Sequence, residues 1–159
     1  MSKFIVSTHI TAPREIVFAV LSDLAHTAEN VSAIECVEIL TAGPVGVGTR
    51  YRETRKMFGK TATEEFEITA FDPPHGYTVE CDSCGAHYKT LHTLTPDVWG
   101  TTVEILFDCQ ATSLVAKLMS PLSLLMLGPM KKCIATHLAD IKRVAEAQEH
   151  QPAEWIKME

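Results

Sequence analysis

The feature that most constrains the fold is a helical run near the C-terminus, residues 113–146. In its second half, apolar residues recur at three- and four-residue spacing and therefore share one face of a helix. A long helix with one apolar stripe needs a broad surface to pack against. Because most of the preceding chain has strand-like patterns, the sequence predicts that this surface is a β-sheet. The stripe consists of Met130, Ile134, Leu138, Ile141 and Ala145.

Two prolines divide this run. Ser120-Pro121 is typical of a helix start, with serine as the cap and proline in the first turn. Gly128-Pro129 predicts a kink or a helix end, because a proline removes one backbone hydrogen bond and clashes with the preceding turn. We therefore expect the Leu- and Met-rich part before Pro129 to be a separate and more mobile segment, suited to act as a gate.

Length and composition indicate one folded domain covering residues 1–159. The chain is long enough for a substantial core, and 46% hydrophobic with 21% charged residues argues against disorder. The tail, residues 148–159, contains the helix breaker Pro152. We expect this tail either to be loosely ordered or to dock through Trp155 and Ile156.

Charge and targeting signals narrow the class of partner. The net charge of −6 and the lack of a Lys/Arg block argue against nucleic-acid binding. No stretch resembles a signal peptide or supplies the ~20 apolar residues of a membrane span. Five cysteines, an odd number, indicate free thiols. We predict a cytoplasmic protein without a cofactor, and homodimer formation stays open.

The order of elements predicts an α+β fold. A strand at residues 3–10 precedes a helix opened by Thr11-Ala12-Pro13, then a short helical turn and a strand at residues 34–40. Between residues 49 and 110, short alternating segments are separated by Gly-, Pro- and Asp-containing turns. This regular spacing predicts an antiparallel meander.

Strand parity predicts which side chains face the helix, because successive residues point to opposite sides of a sheet. In each strand, the set with more apolar residues is expected to face the interior. The inward residues are Tyr51, Glu53, Arg55, Met57, Glu64, Phe66, Ile68, Tyr77, Val79, Cys81, Tyr88, Thr90, His92, Leu94, Val103, Ile105, Phe107 and Cys109.

Four of these inward residues are ionisable: Glu53, Arg55, Glu64 and His92. A buried charge without a partner is costly, so these groups must be neutralised or paired. Two interpretations follow. Either a Glu–Arg ion pair lies at a partly wet edge, or the residues line a cavity that holds water or a ligand.

The sequence also resembles a known family. The order of strand, two short helices, six strands and one long helix is similar to the Bet v 1-like, or START/SRPBCC, superfamily, and most similar to its polyketide cyclase/dehydrase-like branch. The resemblance covers residues 3–147. The segments that carry it are residues 10–23, 46–51, 68–74, 94–96, 100–103 and 138–142, with Ala12-Pro13, Gly46-Val47-Gly48-Thr49 and Phe71-Asp72-Pro73-Pro74 among their motifs.

This resemblance implies a helix-grip fold, in which a curved antiparallel sheet of about seven strands wraps a long, Pro-kinked C-terminal helix. It also implies an internal cavity for an apolar small molecule. The superfamily includes lipid carriers, aromatic-ring cyclases, hormone receptors and quinone-binding proteins. It has no universal catalytic residue, so none can be carried over to this chain, and the fold alone does not determine the function.

The main hypothesis is that the chain binds a small hydrophobic molecule such as a lipid, quinone or polyketide-like aromatic, for transport or sequestration. The opposing interpretation is that the inward side chains simply pack against each other. The residues predicted to contact the ligand are Tyr51, Met57, Phe66, Tyr77, Tyr88, His92, Phe107, Leu118, Leu122, Leu125, Met126 and Met130.

An aromatase/cyclase or dehydratase activity is the first alternative. Such chemistry needs a base and a donor for an enolate. His92 is the candidate base, and Arg55 or a tyrosine hydroxyl the candidate donor. Glu53 or Glu64 would orient them. A protein-interaction role using the same groove is the second alternative.

A metal site is a further hypothesis, because Cys81 and Cys84 form a CxxC pattern, with His87 nearby. A structural zinc ion needs four ligands, usually supplied by two pairs, and only one pair is present here. The turn residues around Cys84 also fit an ordinary hairpin. The sequence therefore predicts no metal.

Overall fold

The computed structural model describes residues 2–118 and 120–150, with the backbone only for residues 120–124. The strands are β1 (Ser2–Ile10), β2 (Ile34–Ile39), β3 (Arg50–Met57), β4 (Lys60–Asp72), β5 (Gly76–Ser83), β6 (Ala86–Asp97) and β7 (Gly100–Ala111). The helices are α1 (Arg14–Leu21), α2 (Thr27–Asn30), α3 (Leu114–Leu118) and α4 (Ser120–Glu149). A 3₁₀ turn at Leu24–His26 lies between α1 and α2.

The seven strands form one antiparallel sheet in the order β1-β7-β6-β5-β4-β3-β2. Two-residue turns join β3 to β4 and β5 to β6, and both residues of each turn have positive φ, as type I′ turns require. Register shifts in β2 and β4 mark irregularities that bend a strand. The curved sheet with its long C-terminal helix confirms the predicted helix-grip architecture.

The second half of α4 packs into the core. Leu138, Ile141 and Ala145 are at most 2% exposed, as the apolar stripe predicts. Polar contacts hold the same half in place. Lys142 donates to the His9 carbonyl at 2.9 Å, and Glu146 accepts from the Thr11 backbone N–H at 2.9 Å. These contacts anchor α4 to the end of β1.

The helix does not end at Pro129. Helix α4 is continuous from Ser120 to Glu149, with Pro129 inside it. The proline deprives one carbonyl, that of Leu125, of its helical donor. Because Leu125 is 72% exposed, water can supply the missing hydrogen bond. Trp155 and Ile156 lie outside the described residues.

Truncation of the α4 stripe should destabilise the protein. We expect Leu138→Ala to lower the free energy of unfolding by about 2–5 kcal/mol, because it leaves a cavity where the side chain is fully enclosed. The matched control is Leu125→Ala on the same helix, which should change stability by less than about 0.5 kcal/mol. Urea denaturation followed by circular dichroism measures both. Equal losses in the two variants would contradict this packing.

Candidate functional site

A cavity of about 260 Å³ lies between the concave face of the sheet and α4. Strands β3 to β7 supply most of its wall, and α4 closes it with Met130, Ile134 and His137. These three positions follow a helical repeat, so they project from one face of α4. The sheet and helix therefore do not fill the space between them, and the interpretation of a solid interior is wrong.

Most residues predicted from parity to contact a ligand do line this cavity. For the strand residues, alternation explains this placement, because successive side chains point to opposite faces of the sheet. The predicted residues found in the wall are Tyr51, Met57, Phe66, Tyr77, Tyr88, His92, Phe107 and Met130, together with the ionisable residues Glu53, Arg55 and Glu64.

Three of the residues predicted to contact a ligand lie outside the cavity wall. Leu118, Leu125 and Met126 are 82%, 72% and 45% exposed and do not line the cavity. Leu118 belongs to α3, which is held on Gly85 of the β5–β6 turn, whereas Leu125 and Met126 lie on the exposed side of α4. The carbonyl of Gly85 accepts hydrogen bonds from the backbone N–H groups of Thr112 and Ser113 at 2.8 and 3.1 Å. The side chain of Leu122 lies outside the described part of the chain.

Glu53 and Arg55 form an ion pair inside the cavity wall. The Glu53 side chain is 7% exposed and that of Arg55 is 18% exposed. Arg55 Nε donates to Glu53 Oε1 at 2.5 Å, and Arg55 Nη1 lies 3.5 Å from Cys133 Sγ on α4. Burial opposes the charge of Arg55, but Glu53 and Cys133 outweigh it, so the pKa of Arg55 is raised. Glu53 and Arg55 therefore pair with each other and also line the cavity.

His92 lines the same cavity and is 7% exposed. Its ring stacks on Tyr77 with centroids 4.2 Å apart and planes 9° apart. Tyr77 is itself held by a 3.0 Å hydrogen bond from its hydroxyl to the carbonyl of Leu21. Burial lowers the pKa of His92 to about 4, so its imidazole is neutral at pH 7. His92 Nδ1 is buried and has no hydrogen-bond partner among the described residues.

His137 also belongs to the cavity wall, although it is not among the residues predicted from the sequence. It is partly buried on α4 and lines the cavity with His92. Burial lowers the pKa of His137 to about 3, and the nearby Arg55 charge and His92 act in the same direction. The sequence does contain a signal for this position. His137 follows Ile134 by three residues, so helical periodicity places it on the inward stripe of the helix.

A second polar group lies toward the β5–β6 turn. Ser83 Oγ donates to Glu64 Oε1 at 2.8 Å, which satisfies one oxygen of this carboxylate. Cys81 lies next to it, and burial, followed by the Glu64 charge, raises the pKa of the Cys81 thiol to about 11. Cys81 is therefore a neutral thiol at pH 7. The cavity wall has polar groups at two places, with aromatic and aliphatic side chains over the rest.

The CxxC pattern and His87 do not converge on a metal site. Cys81 and Cys84 line the cavity, whereas His87 lies on the outer face. There its two ring nitrogens contact Asp82 and Glu80, each at 2.9 Å. Parity explains this, because His87 precedes the inward Tyr88 in β6. Among residues 2–118 and 125–150, no cluster of three or more His, Cys, Asp or Glu side chains is arranged to hold a metal ion.

Comparisons with known proteins agree with this architecture. The model of a family described as "Polyketide cyclase / dehydrase and lipid transport" matches residues 1–146. No curated protein matches the chain. In the described residues, no helix combines the length and apolar character needed to cross a membrane.

Several solved structures share the fold. TTHA0849 from Thermus thermophilus is 19% identical, with a TM-score of 0.77 over 92% of this chain and 99% of that chain. Norcoclaurine synthase from Thalictrum flavum, solved with dopamine and hydroxybenzaldehyde, is 17% identical, with a TM-score of 0.68 over 95% and 88%. The di-domain ARO/CYC protein BexL from the BE-7585A biosynthetic pathway is 16% identical, with a TM-score of 0.71 over 95% of this chain and 50% of BexL.

Proposed function

Because the chain belongs to the polyketide cyclase/dehydrase and lipid transport family, we propose that it binds a small hydrophobic molecule in the cavity between the sheet and α4. The proposed ligand classes are lipids, quinones and polyketide-like aromatics. The observation that carries the proposal is a partly open cavity of about 260 Å³ between the sheet and α4. Its aromatic and methionine side chains suit a flat, apolar body.

The two histidines of the cavity wall favour a ligand with one polar group. A neutral imidazole offers one donor and one acceptor, and both His92 and His137 are neutral at pH 7. A hydroxyl or carbonyl group beside these rings would gain hydrogen bonds that an apolar ligand cannot form. An anionic group would gain less, because Glu53 already neutralises Arg55.

The alternative function is a cyclase or dehydratase. It has less support, because a general base works best with a pKa near the working pH, and the pKa of His92 is about 4. Arg55 is also held by Glu53 and is not free to stabilise an enolate. If a turned-over substrate is found, unchanged turnover in the variants His92→Gln and Arg55→Met would remove these residues from the mechanism.

Filling the cavity tests the binding proposal. We expect Thr90→Phe to weaken binding of 2-naphthol at least about tenfold, because Thr90 lines the cavity and the added ring occupies ligand space. The matched control is Leu91→Phe at the next residue of β6, where the leucine is 38% exposed on the outer face. The affinity of this variant for 2-naphthol should stay within about twofold of the wild-type value. Isothermal titration calorimetry measures both.

Native mass spectrometry of the freshly purified protein complements this test. A bound cellular molecule that is present in the wild type and absent from Thr90→Phe would identify the ligand class. The proposal is contradicted if the wild type binds no naphthol and carries no molecule, or if both phenylalanine variants bind as the wild type does.

A further inference from the structure

A cluster of exposed apolar side chains lies on α3 and the first turns of α4. We call it the rim patch: Leu114, Val115, Leu118, Leu125 and Met126. These residues are 84%, 73%, 82%, 72% and 45% exposed. Single exposed apolar residues are common, but a concentration of five within residues 114–126 indicates an interaction surface.

The rim patch lies next to the cavity. The Gly85 carbonyl accepts hydrogen bonds from the Thr112 backbone N–H and Oγ1, both at 2.8 Å, which holds the start of α3 on the β5–β6 turn. Cys84 of the same turn lines the cavity, and so does Met130, one helical turn after Met126. Phe58, 51% exposed in the β3–β4 turn, lies at the same end of the sheet.

The charge around the rim patch differs from that of the whole chain. The net charge of the protein is −6, yet residues 113–136 contain Lys117, Lys131 and Lys132 and no acidic residue. All three lysines are exposed. Near the β5–β6 turn, Asp82 is hydrogen-bonded to His87 on the outer face at 2.9 Å, and Glu64 accepts from Ser83 Oγ at 2.8 Å in the cavity wall. The apolar surface is thus flanked by positive charge.

We propose that the rim patch docks on the surface of an anionic lipid bilayer. Leu114, Val115 and Leu118 would enter the headgroup region, while the lysines contact lipid phosphates. A protein partner fits less well, because lysine is depleted at the centres of protein interfaces. The inference extends the proposed function by placing the cavity next to a source of hydrophobic ligand. It does not depend on a ligand being bound.

Vesicle co-sedimentation tests this docking. The full chain should bind vesicles that contain phosphatidylglycerol in phosphatidylcholine, and should bind pure phosphatidylcholine vesicles at least about fivefold more weakly, because each lysine near an anionic surface favours association. Raising the salt concentration should reduce the difference, since salt screens exposed charges. The double variant Lys131→Gln/Lys132→Gln should lower anionic-vesicle affinity about tenfold.

The apolar contribution is tested with a matched pair of variants. Leu114→Ser/Leu118→Ser should weaken vesicle binding at least about tenfold, because it removes buried apolar area from the docked state. The control is Val98→Ser/Trp99→Ser. These residues are 90% and 78% exposed in the β6–β7 turn, at the opposite end of those strands, so binding should stay within about twofold of wild type. Circular dichroism melts check that all variants remain folded.

Several results would overturn the proposal. One is the absence of wild-type binding to anionic vesicles, and another is equal binding by the rim-patch and turn variants. A third is a dimer in multi-angle light scattering that Leu114→Ser/Leu118→Ser dissociates, without vesicle binding, which would assign the patch to a second copy of the chain. Because 2-naphthol binding is measured without lipid, failure of the docking inference is distinguishable from failure of the cavity proposal.

Discussion

Replacing Glu53 with alanine is expected to lower the free energy of unfolding by about 3–5 kcal/mol. The variant leaves Arg55 without its carboxylate partner in the cavity wall, where the Arg55 side chain is only 18% exposed. Cys133, 3.5 Å from Nη1, is a weak acceptor and cannot replace a carboxylate. Urea denaturation at pH 7 measures the loss.

Two further variants separate the ion pair from a general effect of truncation. Glu65→Ala removes a carboxylate from the neighbouring strand that contacts Arg50 and Arg52 on the exposed face. It should cost less than about 1 kcal/mol, since water screens surface pairs. Glu53→Leu/Arg55→Met should recover most of the loss, because no buried charge remains. Equal losses for Glu53→Ala and Glu65→Ala would contradict the buried pair.

Acidification from pH 7 to pH 5 is expected to destabilise the protein by about 2 kcal/mol through His92 alone. The pKa of His92 is lowered to about 4 by burial, below its usual value of 6.5. As the pH falls, His92 therefore becomes protonated in the unfolded chain at a higher pH than in the folded protein. The stability contributed by the neutral ring is complete above pH 6.5 and is lost as the pH falls toward 4. His137, with its pKa lowered to about 3, acts with the same sign.

Urea titrations at pH 7, 6 and 5 test this dependence. The variant His92→Gln should lose about 2 kcal/mol less than the wild type over this range. His87→Gln is the control, because its loss of stability on acidification should differ from that of the wild type in the opposite direction. The pKa of His87 is raised by the hydrogen bond to Asp82, so the charged ring stabilises the folded state at low pH and the variant should lose more on acidification. An unchanged pH slope in His92→Gln would refute the buried neutral imidazole.

The sequence by itself determined the architecture and the inward faces of the strands. Its signals are local and periodic, because a strand alternates sides at every residue and a helix repeats every 3.6 residues. Parity therefore identifies Tyr51, Phe66 and His92 as cavity residues without reference to the fold. The stripe through Leu138 and Ile141 likewise identifies the buried face of α4. The family resemblance supplied the expectation of a cavity.

Tertiary structure alone decided how far α4 covers the cavity and which residues of α4 meet the polar residues of the strands. Periodicity shows which side of a helix is apolar but not whether another element reaches it, so Leu118 and Leu125 are predicted in a wall that they do not form. Arg55 on β3 and Cys133 on α4 come together only because the sheet closes over the helix. Contacts between residues so distant in sequence leave no local pattern, and the burial that they produce lowers the pKa values of His92 and His137.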